Sequence, residues 1–161
     1  MANDLNKTRI DHLFSADIDL ECCGFYPSVG GGVRVNSVPA GGEVFTQEKV
    51  IGKVAAGGEF AQLLRYNGVF ELEGRLTIKL DNGDLVYIPC TGKADFCTAD
   101  EIKDFAGGKL SRPVDIYMAS PLESTDPKMD KMFVFAIGRL DDAAAPKKLM
   151  LDIYEYECLP L

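Results

Sequence analysis

Three side chains near the middle of the chain, Glu73, Arg75 and Tyr87, are of the types needed for acid–base chemistry on a small molecule. A carboxylate whose pKa is raised by desolvation can act as a general base, and a phenol can donate a proton. A guanidinium can hold a substrate carboxylate or enolate, although beside Glu73 it also favours the ionised carboxylate. Such a set suits isomerisation, cyclisation, dehydration or retro-aldol cleavage of an aromatic or polyketide-like substrate without a cofactor.

The segment that carries Glu73 and Arg75, residues 69–80, reads VFELEGRLTIKL and alternates between apolar and polar positions. A period of two predicts a β-strand with one buried face. Residues two apart on one face of a strand lie roughly 6–7 Å apart, so Glu73 and Arg75 can reach one small ligand. The charged face is either simply solvated, as charged strand faces usually are, or it lines a site.

The turn after this strand decides which residues share its faces. A two-residue Asn82-Gly83 turn would put Tyr87 opposite Ile78, on the apolar side. A three-residue loop that also includes Asp81, with Gly83 in the left-handed conformation of a bulge, shifts the register by one residue. We favour the second register because it places apolar residues with apolar ones and brings Tyr87 to the face of Glu73 and Arg75.

The rest of the chain reads as nine or ten strands at hairpin spacing, separated by glycine-rich turns. This pattern predicts an all-β fold, either an antiparallel sandwich or a closed barrel, in a single domain over residues 1–161. One short helix is expected at 99–106, since Thr98 and Glu101 form a capping box and Gly107-Gly108 supplies a stop. The segment MFVFAIG, residues 132–138, is apolar at every position and is expected to be a central strand covered on both sides.

Composition excludes several classes of function. The formal net charge of −8 argues against binding of nucleic acids or anionic membranes. No run of eighteen apolar residues and no secretory signal occur, so we expect a cytoplasmic protein that neither spans nor binds a membrane. The five cysteines include no C-x-x-C pair and there is a single histidine, His12, so no metal site is expected. Phosphate-binding and dinucleotide-binding motifs are also missing, and we expect no cofactor.

With these residues in hand, the chain resembles the family called domain of unknown function 3237. The resemblance runs through residues 31–92, from GGVRVNSVPAGG to LVYIPCTG, and more weakly through SPLES, FVFAIGR and DIYEY. It implies an antiparallel barrel of the general lipocalin or allene-oxide-cyclase shape with a central cavity, and the family has no assigned reaction. The Leu-Glu-Gly-Arg of residues 72–75 looks like the family's usual Leu-Asp-Ala-Arg, which implies that Glu73 and Arg75 line a pocket.

The resemblance also implies further substrate-binding positions. Arg34 and Arg65 match arginines of the family, Glu123 matches an acid that follows a proline, and Phe60 stands where a tryptophan is usual. Tyr117 is a further candidate proton donor on the residue evidence alone. Each of these has a plainer interpretation as a surface or packing residue.

Three hypotheses about function follow. The first is a cofactor-free lyase, isomerase or cyclase with its small-molecule site inside the barrel. The second is a barrel that binds a small molecule without changing it. The third is an interaction protein that forms a homo-oligomer, in which the apolar face of residues 70–80 is the subunit interface.

Overall fold

The computed structural model describes residues 8–29, 31–47, 49–65, 67, 69–95, 98–106, 109–140 and 148–158. These residues form ten strands and one helix. The elements are β1 (Thr8–Val29), β2 (Gly32–Thr46), β3 (Lys49–Val54), β4 (Glu59–Arg65), β5 (Phe70–Leu80), β6 (Leu85–Ala94), α1 (Ala99–Ala106), β7 (Val114–Pro121), β8 (Glu123–Ser124), β9 (Phe133–Leu140) and β10 (Lys148–Cys158). Within this part of the chain, no helix is long and apolar enough to cross a membrane.

Eight of the strands close into an antiparallel ring in the order β1-β2-β4-β5-β6-β7-β9-β10, with β10 paired back to β1. Strand β3 bridges β2 and β5, and the two-residue strand β8 adds to β6. Closure removes the unpaired edges that an open sheet of this size would expose. The prediction of an all-β antiparallel barrel with one short helix is confirmed.

The predicted register of the β5–β6 hairpin is also confirmed. The N–H of Leu80 donates to the carbonyl oxygen of Asp84 at 2.9 Å, which leaves a three-residue loop at positions 81–83. Gly83 has a φ of +95°, a conformation that side chains disfavour. The register pairs Ile78 with Val86 and Thr77 with Tyr87, so like residues lie together as the sequence required.

The apolar face of β5 points into the barrel. Phe70, Leu72, Leu76 and Ile78 are at most 2% exposed and belong to one hydrophobic core. Two expectations are therefore wrong: the charged face of this strand does not point into the lumen, and its apolar face is not a subunit interface. An eight-stranded barrel is just wide enough to be filled by side chains, and burying unpaired charges there would be costly.

Helix α1 forms where the sequence predicts it. The N–H of Glu101 donates to Thr98 Oγ1 and the N–H of Thr98 donates to Glu101 Oε2, both at 3.2 Å, which completes the capping box. Its buried residues Ile102 and Phe105 join the barrel core. The predicted stop at residues 107–108 lies outside the described residues.

Strand β9 lies between β7 and β10, as expected of a central strand. Its inner residues Val134 and Ala136 are buried, but Phe133 and Ile137 on the outer side are 50% and 38% exposed. The expectation of cover on both sides is therefore not met by the described residues of one chain. A barrel has a single wall, and only its inner side is enclosed by its own strands.

Candidate functional site

The barrel interior is a packed apolar core with little free volume. Its main described cavity measures about 10 Å³, room for about one water molecule, and is lined by apolar side chains together with Cys90 and Ser120. Phe60, a predicted substrate-binding residue, is fully buried in the wall of this cavity. Burial raises the pKa of the Cys90 thiol to about 11, so the thiol stays protonated near neutral pH. Glu73, the carboxylate predicted to be catalytic, does not line this cavity.

Two interior oxygens lack a hydrogen bond to the described residues. Ser37 Oγ and Gln62 Oε1 are fully buried and unpartnered within that part of the chain. Ser37 pairs with Phe60, and Gln62 follows two residues later on β4, so both side chains face the same region of the barrel. Buried polar groups of this kind usually bind a water molecule or a ligand atom.

Glu73, Arg75 and Tyr87 share the outer face of the β5–β6 hairpin, as the register predicted, but they do not converge. Glu73 lies opposite Thr91, whereas Tyr87 lies opposite Thr77. Four residues along a strand separate Glu73 from Thr77, a distance of roughly 13 Å. One small molecule cannot sit between this carboxylate and the phenol.

Arg75 instead forms an ion pair with Glu59, which lies opposite it on β4. The Nη1 and Oε2 atoms are 3.1 Å apart, and the two side chains are 53% and 42% exposed. Sequence reasoning missed Glu59 because the register between β4 and β5 is set by their packing and not by a short turn. An exposed pair of this kind contributes little to stability.

The remaining predicted residues are spread over the barrel surface. Arg65 forms an ion pair with Glu71 at 3.2 Å, and Arg34 is half-buried on β2, opposite Leu63 on β4. Tyr117 is 48% exposed on β7 and lies between Lys93 and Ile137 of the neighbouring strands. These three do not join Glu73, Arg75 or Tyr87 in one site.

Tyr87 and Glu123 do come together. Strand β8 pairs with β6 so that Glu123 lies directly opposite Tyr87, with Thr77 on the other side of the tyrosine. These residues line a shallow, open groove of about 430 Å³ on the outer wall, a volume in the range of small-molecule sites. We call it the Tyr87 groove. Its lining residues are Thr77, Leu85, Val86, Tyr87, Glu123, Ser124, Thr125 and Asp130.

Side-chain hydrogen bonds fix the segment that carries Glu123 against the β5–β6 hairpin. Thr125 Oγ1 accepts from the N–H of Leu85 and donates to Asp84 Oδ1, both at 2.9 Å. Ser124 Oγ donates to the carbonyl oxygen of Leu85 at 2.9 Å, and the N–H of Ser124 donates to Asp130 Oδ1 at 3.2 Å. The groove is therefore held by contacts among its own walls, which preorganises its polar groups.

The chemistry of the Tyr87 groove follows from its side chains. Tyr87 offers a phenol O–H, and Glu123 offers an exposed carboxylate, while the exposed Leu85 supplies an apolar wall. Its charged lining residues are acids, which favours ligands that carry hydroxyl or amino donors. Among the described residues, no three or more His, Cys, Asp and Glu side chains are placed to hold a metal ion.

Comparison with solved structures shows the same barrel in proteins of low sequence identity. A protein of unknown function from Clostridium acetobutylicum has 22% identity and a TM-score of 0.75, covering 94% of this chain and 100% of its own. A beta-barrel like protein from Acinetobacter baumannii has 19% identity and a TM-score of 0.69, over 96% of this chain and 99% of its own. A structure described as an enzyme from Penicillium herquei has 12% identity and a TM-score of 0.57, over 98% and 100%.

No functionally curated protein matches the sequence. The model of the family described as protein of unknown function (DUF3237) matches residues 8–155, which is most of the chain and includes both the hairpin and the segment of Glu123. The chain belongs to the DUF3237 family.

Proposed function

We propose that this protein is a cofactor-free enzyme of the lyase or isomerase type that acts on a small hydroxylated carbonyl compound in the Tyr87 groove. The observation that carries the proposal is the cross-strand pairing of Tyr87 with Glu123 in a groove of ligand size. Tyr87 is a candidate proton donor by its chemistry, and the family resemblance implies Glu123 as a substrate-binding position. The site thus lies on the outer wall and not in the barrel cavity.

The proposed roles follow from the two functional groups. Glu123 takes a proton from a carbon next to the substrate carbonyl, and Tyr87 donates a hydrogen bond to the carbonyl oxygen as negative charge develops there. Where that carbon carries a hydroxyl group, the hydroxyl proton moves to the carbonyl oxygen and Glu123 returns the carbon proton to the former carbonyl carbon, which completes an isomerisation with no net change in composition. The exposed Leu85 forms the apolar wall against which an aromatic ring would pack.

The comparisons support only the general class of this proposal. The structure from Penicillium herquei is described as an enzyme and has the same barrel, so the fold is compatible with catalysis. Glu73 and Arg75, predicted from the sequence as catalytic, have no role in this proposal, because neither lines the Tyr87 groove and Arg75 is paired with Glu59.

The test uses a panel of hydroxylated aromatic ketones and lactones, with isomeric or fragment products followed by NMR and mass spectrometry. We expect Glu123→Gln to lower turnover by roughly 100-fold or more, and Tyr87→Phe to lower it as well. Matched controls on the same barrel are Glu73→Gln and Tyr117→Phe, which should keep normal turnover. Loss of turnover in Glu73→Gln but not in Glu123→Gln would refute the assignment to the groove.

A second candidate function is that of a carrier that binds a small, mainly apolar molecule inside the barrel, which requires the packed interior to expand beyond a cavity of about 10 Å³. The observation that favours it is the pair of unpartnered interior oxygens, Ser37 Oγ and Gln62 Oε1, which could accept from one donor on a ligand. Native mass spectrometry would then detect a retained molecule that is lost in Gln62→Leu and kept in Glu123→Gln. The reverse pattern would exclude this carrier role.

A further inference from the structure

One side of the barrel exterior, formed by β7, β9, β10 and the start of β1, is unusually apolar. Six large side chains there are between 38% and 53% exposed. They are Ile10, Tyr117, Phe133, Ile137, Met150 and Tyr156. We call this surface the outer aromatic face.

The strand pairing brings most of these side chains together, although Met150 lies between Arg139 and Asp17. Ile137 on β9 lies opposite Tyr117 on β7, and Tyr156 on β10 lies opposite Ile10 on β1. Between these rows, Phe135 lies opposite Tyr154, and their rings stack with centroids 5.6 Å apart. Cross-strand aromatic neighbours of this kind form a firm surface, since each ring restricts the rotamers of the next.

The extent of the face is sufficient for a specific interface. Side chains of this size carry roughly 150–250 Å² each, so six that are about half exposed present on the order of 500 Å². A patch of that size is at the upper end for a monomer, and a standard interface buries about 800 Å² on each partner. The half-buried Phe135 and Tyr154, together with the polar residues around the face, supply the rest of the area that a standard interface buries.

Charge indicates what covers the face. The chain has a formal net charge of −8, so most of its surface repels another copy of itself. On the outer aromatic face, Asp115 is paired with Arg139 at 3.4 Å, and Asp152 accepts a hydrogen bond from Ser15 at 2.6 Å. A strongly basic partner would find few acids on this described face beyond the half-exposed Asp152, whereas a second copy presents the same mainly apolar side chains.

We infer that the outer aromatic face is the interface between two copies of this chain, packed about a two-fold axis. In a two-fold interface the same surface serves both partners, and strand β9 then receives on its outer side the cover that its apolar sequence requires. The Tyr87 groove is lined by residues of β5, β6 and the segment after β7, so the dimer is independent of the proposed catalytic function.

The test is sedimentation velocity of the full chain from about 1 to about 200 µM, a range that resolves dimers of moderate affinity. We expect a dimer in the wild type. Ile137→Asp should raise the dissociation constant by at least about 30-fold, as expected for a charge placed in an interface centre. The control Val50→Asp changes a residue on β3 that is 41% exposed, and it should leave the dimer intact.

Two results would overturn the inference: a wild type that stays monomeric over this range, or a dimer that Ile137→Asp does not weaken. Far-UV circular dichroism establishes that each variant is folded. If Ile137→Asp does not fold, Met150→Lys is used to test the interface instead. Met150 is 50% exposed and lies outside the core, so this variant is expected to fold. A dimer that Met150→Lys leaves unchanged would then refute the interface.

Discussion

Adding a single methyl group at Gly74 tests whether the barrel interior is as tightly packed as the structure indicates. An alanine Cβ at this position would lie 2.7 Å from Cys90 Sγ and 2.7 Å from Phe60 Cε1. Both distances are well below an ordinary van der Waals contact of about 3.5–4.0 Å. The methyl group can be accommodated only if these two buried side chains move.

The expected magnitude combines two opposing effects. Overpacking a well-packed core costs about 1–3 kcal/mol. Replacing glycine by alanine restricts the unfolded chain, which returns about 0.4–1 kcal/mol where the backbone conformation is compatible. We therefore expect Gly74→Ala to lower the free energy of unfolding by about 1–2 kcal/mol.

Urea denaturation followed by far-UV circular dichroism measures this loss, and a second substitution tests its cause. Cys90→Ala removes the sulfur that the new methyl group would meet, so in the double variant Gly74→Ala should cost less than it does alone. The double-mutant cycle should show a favourable coupling of about 0.5–1.5 kcal/mol. The contact with Phe60 remains, which makes the rescue partial.

The opposite results would have a functional meaning. If Gly74→Ala is neutral or stabilising, the interior can rearrange beside Phe60, and the packed-core interpretation is refuted. A ligand could then enter the barrel, and the carrier function would be favoured over catalysis in the Tyr87 groove. If the loss occurs but Cys90→Ala gives no rescue, the overlap with sulfur is not its cause.

Two further predictions concern a buried thiol and the attachment of the helix. The pKa of the Cys90 thiol is raised to about 11, so the unfolded chain loses this proton at a lower pH than the folded chain does. The buried thiol therefore stabilises the folded state fully below pH 9, and this stabilisation is lost as the pH rises towards 11. The free energy of unfolding of the wild type should therefore fall more than that of Cys90→Ala over this pH range. Iodoacetamide at pH 8 should alkylate the exposed Cys23 much faster than the buried Cys90. Equal alkylation rates would contradict the burial of Cys90. Arg112 Nε donates to Glu101 Oε1 at 2.9 Å, so Arg112→Met should lower the free energy of unfolding by about 1–2 kcal/mol in urea. The exposed Lys103→Met is its control, and an equal loss there would show that the bond to Glu101 is not responsible.

Local sequence patterns were sufficient where neighbouring residues decide the structure. The alternation of residues 69–80 and the Asp-Asn-Gly loop together specified the hairpin register, since the wrong register would put Tyr87 among core residues. Thr98 and Glu101 specified the start of α1 through hydrogen bonds three residues apart. Repeated hairpin spacing indicated an antiparallel sandwich or barrel, and the family resemblance indicated the barrel.

The candidate site depends instead on contacts between distant segments. Glu123 reaches Tyr87 only because β8 pairs with β6, and Glu59 reaches Arg75 only because β4 lies beside β5 in a particular register. Neither pairing is set by a short turn, so no local pattern could specify it. Because the strand pairings could not be predicted locally, the charged face of β5 was expected to line the lumen, although the barrel has room only for the apolar face of this strand.

By itself, therefore, the sequence determined the type of most elements, the start of α1, the β5–β6 register and an acidic net charge. The tertiary structure decided which strands are neighbours, which side of the wall is enclosed, and that Tyr87 meets Glu123 while Glu73 stands apart. The physical reason is that alternation and turn chemistry act over a few residues. Closure of the barrel is set by the packing of the whole core, to which residues throughout the described chain contribute.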